Sequence, residues 1–159
     1  MPVYQLEKLM DETRRIATEY RASTGATLPV SGELAKFDAI RLLGLEPPGV
    51  TERAVDALLK IVTEDQKVQI QKVQIKGRVI FNPEKPGYRI GQLNLDADWY
   101  WLVLVLMNDK YETTEIYRLQ KSRLIQELAD KHSNKKSRGA ISVRKFKAIA
   151  ELCWRSGNH

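Results

Sequence analysis

Between Lys67 and Lys76 the chain repeats itself: Lys-Val-Gln-Ile-Gln is followed at once by Lys-Val-Gln-Ile-Lys. β-Branched residues alternate with polar ones, the pattern of a half-buried strand. Successive side chains on a strand point to opposite faces, so Gln74, Lys76 and Arg78 share one face while Val73, Ile75 and Gly77 share the other. The repeat length of five is odd, so the second copy presents the reverse face of the first unless a bulge intervenes. A strand that ends on an amide, an ammonium and a guanidinium, all on one side, can form one wall of an anion or metal site. The simpler alternative is the solvated polar face of an antiparallel sheet.

The rest of the chain is arranged around that strand. Leu6, Leu9, Thr13, Ile16 and Tyr20 recur at helical spacing, which predicts an amphipathic helix over 3–21. After a loop containing Thr24, Gly25 and Pro29, Ser31 suits the N-cap of a second helix that runs through Leu43 and is closed by Gly44. Glu33 then lies in its first turn, where the helix dipole favours a carboxylate. Glu46-Pro47-Pro48-Gly49 makes a turn. The apolar stretch from Arg53 to Val62 suits helix or strand. Its shortness and the turn at Glu64-Asp65-Gln66 favour a strand in a hairpin with the repeat strand, and place Asp56 on it.

Residues 82–98 read as a loop. Trp99 to Met107 is almost continuously apolar, as in a central strand covered on both faces. A further strand is expected over 112–119, a helix over 121–131, a basic loop over 132–139, and a final helix through Val143, Phe146, Ile149, Ala150 and Cys153. Trp99, Tyr100 and Trp101 suit core packing, with base stacking as the functional alternative. This pattern is that of one α/β domain spanning 1–159.

At 159 residues the chain can bury a core. Trp99 to Met107 is too short to span a bilayer, and Met1 to Tyr20 is charged throughout, unlike a signal peptide. One cysteine permits no internal disulfide, and two histidines argue against a zinc site. A cytoplasmic protein without membrane partners is the expectation. The net charge of +6 is unevenly placed: residues 1–109 hold 14 Lys/Arg against 15 Asp/Glu, and residues 110–159 hold 12 against 5, a net +7. Such an excess over 120–159, with Lys135, Lys136 and Arg138 at its centre, suits either a surface that meets a polyanion or a soluble basic tail.

An acid at a helix start (Glu33), an acid before an apolar run (Asp56) and Gln74-x-Lys76 on its hairpin partner resemble the PD-(D/E)XK nuclease superfamily. Gly32-Glu33-Leu34, Val55-Asp56-Ala57 and Gln74-Ile75-Lys76-Gly77-Arg78 are similar to a bacterial family of uncharacterised nuclease-like proteins with a Gln-Ile-Lys-Gly-Arg strand. The resemblance covers roughly residues 31–118. It implies a restriction-endonuclease-like α/β fold with a central mixed four-stranded sheet flanked by helices. It also implies a Mg²⁺ site, with Mn²⁺ as a substitute, formed by Asp56, the Ile75 carbonyl and Glu33. Asp56, Gln74, Lys76 and Glu33 would be the catalytic set, with Arg78 gripping a neighbouring phosphate; Lys135, Lys136 and Arg138, from the basic excess outside the resemblance, are the expected further contacts to DNA.

The implied activity is hydrolysis of DNA phosphodiester bonds by metal-activated water, and by analogy the protein would act as a homodimer. Two departures stand out: Gln74 occupies a position usually acidic, and Val55 precedes Asp56 where a proline is common. A catalytically inactive nucleic-acid-binding module and a protein-interaction module are the alternatives.

Overall fold

The computed structural model describes residues 3–129 and 141–157. The repeat strand is β2 (Val68–Val79), and it pairs antiparallel with β1 (Ala57–Val62) in a hairpin that aligns Ala57 with Val73 and Val62 with Val68. A five-residue turn joins them, closed by Thr63 N–H to the Lys67 carbonyl at 2.8 Å and by Gln66 N–H to the Thr63 carbonyl at 2.9 Å. No bulge interrupts the β1–β2 ladder, so the odd repeat does reverse its face. Val73 and Ile75 of the second copy are 1% and 5% exposed, whereas Val68 and Ile70 of the first are 59% and 51% exposed.

On its other side β2 runs parallel to β3 (Trp101–Met107), which pairs antiparallel with β4 (Thr113–Gln120), and β4 with β5 (Glu151–Arg155). The sheet is therefore mixed and five-stranded in sequential order, not four-stranded as the resemblance implied. The extra strand is β5. The final helix, α4, ends at Ile149, and Ala150 in extended conformation turns the chain onto the edge of β4. The expected helix through Cys153 is thus cut short, because β4 offers ladder partners that a last helical turn would not satisfy.

α1 (Val3–Thr24) and α2 (Ser31–Leu43) cover one face of the sheet. Leu34, Ala35 and Ala39 of α2 pack there on Val73, Ile75 and Val79. Ser31 is the first helical residue and not the cap: Val30 holds the cap position, without a side-chain hydrogen bond, and its carbonyl accepts from Leu34 N–H. Gly44 closes α2 in the left-handed conformation, φ 68°, as expected. A buried polar link ties the layer together, since Asp38 of α2 accepts from Arg14 of α1 and from the Thr113 hydroxyl of β4, and Arg14 also donates to the Tyr111 carbonyl.

The opposite face is covered by the segment 80–100, α3 (Lys121–Ala129) and α4 (Val143–Ile149). Two parallel strands need a crossover, and residues 80–100 supply it without a helix. Ile90, Leu93, Ala97 and Trp99 of this segment are buried against Leu102, Leu104 and Leu106, so it is a core layer and not merely a loop. It is fastened by Ile90 N–H to the Ile141 carbonyl and by the Trp99 indole N–H to the Asn94 carbonyl. Trp99 is a core residue, while Tyr100 is 42% exposed. No helix of the described residues is long and apolar enough to cross a membrane.

Candidate functional site

β2 is an interior strand between β1 and β3 with α2 on one face, and Gly77 sets how closely the two approach. A Cβ at that position would stand 2.6 Å from Ala35 Cβ, 3.0 Å from the Ser31 carbonyl oxygen and 3.2 Å from Met107 Cε. Only a residue without a side chain lets the first turn of α2 lie on the strand. Glu33 lies in that turn and Lys36 in the next, and the close approach brings Lys36 to Asp56 at the sheet.

β1 begins one residue after Asp56, so Asp56 is at the strand's entrance and not on it, contrary to the sequence expectation. A tight turn over 52–55, with Ala54 at φ 62°, delivers the chain there. Asp56 N–H donates to the Val73 carbonyl at 2.7 Å, and Asp56 Oδ2 accepts from Ile75 N–H at 2.8 Å. The carboxylate therefore replaces a backbone carbonyl in the ladder and brackets Gln74 between its two contacts. A strand N–H points along the sheet, so Oδ2 lies close to the plane of the sheet. The other oxygen, Oδ1, is 3.6 Å from Lys36 Nζ, which is also 3.5 Å from Glu33 Oε2.

Lys36 thus links Glu33 and Asp56, which sequence reasoning had paired without it. Its signal was present in the i,i+3 spacing of Glu33 and Lys36 on one helix face. Glu33 is a surface acid, its side chain 73% exposed, and Asp56 is largely buried at 18%.

Gln74, Lys76 and Arg78 share one face of β2, but it is the face away from α2. Their β3 partners Leu102, Leu104 and Leu106 belong to the core beneath the crossover. The structure therefore brings Glu33 and Asp56 to one ammonium, sets Asp56 beside Gln74 at the end of the hairpin ladder, and leaves Lys76 and Arg78 further along the opposite face. Gln74 is 5% exposed, and its Oε1 is buried without a hydrogen-bond partner. Lys76 makes no hydrogen bond or ion pair with a described residue. Arg78 lies over the Tyr88 ring at 5.8 Å. Lys135, Lys136 and Arg138 lie outside the described residues.

No family model and no curated protein matches this chain. The chemistry of the donors must then speak for the site. Among the described residues no group of three or more His, Cys, Asp or Glu side chains is placed to hold a metal ion. Mg²⁺, however, keeps several waters and is commonly held by one or two carboxylates together with substrate phosphates. The oxygen donors available for such a site are the Asp56 carboxylate and the buried Gln74 amide oxygen that lacks a partner, and Glu33 shares Lys36 with Asp56.

Proposed function

We propose that the chain is a Mg²⁺-dependent endonuclease that hydrolyses DNA phosphodiester bonds at the seam between β1 and β2. The observation that carries the reading is the buried, orphaned Gln74 Oε1 on β2, next in sequence to the Ile75 N–H that holds Asp56. Leaving a buried acceptor unsatisfied costs about 1–3 kcal/mol, and such a cost persists where the atom has a ligand to meet. Asp56 and Gln74 would hold the ion, and Glu33, on the α2 side of the sheet, would act only through Lys36, its shared contact with Asp56. The bound ion supplies Lewis acidity and an acidified water.

The protein's own groups do the remainder. Ile75 N–H fixes the Asp56 carboxylate by holding Oδ2, which leaves Oδ1 as its free ligating atom once Lys36 turns aside. Lys76, with no protein partner among the described residues, offsets charge that develops on the phosphate. Arg78 grips the neighbouring phosphate.

A second reading, a nucleic-acid-binding module without catalysis, is favoured by one observation. Both Asp56 oxygens are already engaged, one by Ile75 N–H and one by Lys36. A cleavage assay on plasmid and branched DNA with Mg²⁺, Mn²⁺ or EDTA separates the two. Metal-dependent nicking that disappears in Asp56→Asn supports the nuclease; DNA binding without nicking under every metal supports the module.

A further inference from the structure

Beyond Arg78, on the same side of the sheet, a groove of about 450 Å³ opens between the crossover and α4. Its apolar lining includes Ile80 and the buried Leu106 and Val143, and Leu106 is the register partner of Arg78. Pro83, Pro86 and Tyr88 of the crossover form one wall. Two prolines hold that wall stiff. Tyr88 is fastened to it as well, since its carbonyl accepts from Val143 N–H and its hydroxyl accepts from Asn82 N–H at 3.0 Å.

The cations of this groove differ from most on the molecule. Lys72, Lys60, Arg53, Arg118 and Arg123 each face a carboxylate. Lys85 and Arg144, which line the groove, and Arg78 at its end are exposed and make no ion pair with a described residue. Lys147 is the exception, paired with Glu115 at 3.1 Å. Unpaired positive charge along a narrow apolar cleft is attractive to a polyanion and to nothing cationic.

The geometry points to this groove as a track for one strand of nucleic acid, with Arg78, Lys85 and Arg144 meeting phosphates and a base taking the place over the Tyr88 ring that the exposed Arg78 side chain holds in the free protein. An aromatic face set inside a cleft is reached by an unstacked base and not by one held in a duplex, so the ligand is single-stranded. The proposal deepens the nuclease reading and rests on it for the class of ligand, but its binding step needs no metal.

The test is fluorescence anisotropy with a labelled single-stranded DNA of about a dozen nucleotides, in EDTA and at several salt concentrations. A duplex of the same sequence is run beside it. The triple variant Arg78→Ala, Lys85→Ala, Arg144→Ala should weaken single-strand binding at least about tenfold and flatten the log–log salt slope by about 2. Tyr88→Leu should also weaken it about tenfold, and Tyr88→Phe, which keeps the ring, should not. Tighter binding of the single strand than of the duplex, lost in these variants, supports the track even if no metal yields cleavage; in that event only the nuclease reading falls. Binding unchanged in the triple variant, duplex preferred over single strand, or no binding at low salt overturns the track. Mg²⁺-dependent nicking that persists beside any of these keeps the nuclease reading intact.

Discussion

Gly77 and Ala35 stand so close that a single added methyl on Gly77 would meet the Ala35 methyl at 2.6 Å. The strand that carries Gln74, Lys76 and Arg78 and the helix that carries Glu33 and Lys36 are held at this spacing by the absence of one carbon. Gly77→Ala should destabilise the protein by about 1–3 kcal/mol through overpacking. Urea unfolding checks it. Adding Ala35→Gly should restore only part of the loss, because the Ser31 carbonyl oxygen still lies 3.0 Å from the new atom and glycine weakens the helix.

Asp56 has a structural task as well as the proposed one. Asp56→Asn keeps an oxygen for Ile75 N–H and should fold with near-normal stability while losing the proposed cleavage. Asp56→Ala leaves that N–H without its acceptor and should cost about 1–3 kcal/mol as well. Melting curves and nicking assays on the two variants separate the roles.

Gln74 offers the sharpest contrast. Replacing it with Leu removes an unsatisfied buried acceptor and should raise stability by about 1 kcal/mol. Gln74→Glu places a charge at a site 5% exposed, so its Tm should fall in EDTA and recover with Mg²⁺ if a cation enters the seam. An equal Tm with and without Mg²⁺ would count against metal binding there.

Asp38 is 1% exposed and holds Arg14 and Thr113. Asp38→Ala leaves the largely buried Arg14 with only the Tyr111 carbonyl and a 3.7 Å contact to Asp11, takes the acceptor from the Thr113 hydroxyl, and should cost about 3 kcal/mol, read by chemical denaturation. The loss should be far larger than for Glu12→Ala, whose ion pair with Arg15 is on the surface.

Glu115 gives a pH signature. Burial pushes its carboxyl up, but Lys147, Tyr117 and Arg155 together outweigh burial and leave it below the ordinary glutamate value. A depressed folded-state pKa adds stability that is complete above the unfolded value of about 4.3 and is lost as the pH falls through the folded value. Stability of the wild type should therefore decline in that acid window. Glu115→Gln should decline less, as measured by Tm against pH from 6 down to 3, a span set by the carboxylate range.

Much of this fold could be read from the chain because local pattern and tertiary role agree there. Val73 and Ile75 alternate with polar residues and are buried; Gly44 follows an apolar helix and adopts the left-handed cap; Trp99 to Met107 has no polar break and lies in the middle of the sheet. The odd repeat between Lys67 and Lys76 determined by itself that Val68 and Val73 would face opposite ways, since strand periodicity is a property of the backbone.

Three things were decided only by the folded chain. Glu151–Arg155 becomes a strand because β4 has an open edge beside it, and a segment of five residues carries too little pattern to announce that. Asp56 stops short of β1 because Ala54 takes a positive φ in the turn before it, a conformation that alanine does not signal. Lys36 comes to Asp56, and Arg78, Lys85 and Arg144 come to one side of the sheet, through contacts between residues far apart in the chain. Residue spacing specifies which face of its own element a side chain occupies; which foreign charge stands opposite depends on how those elements pack.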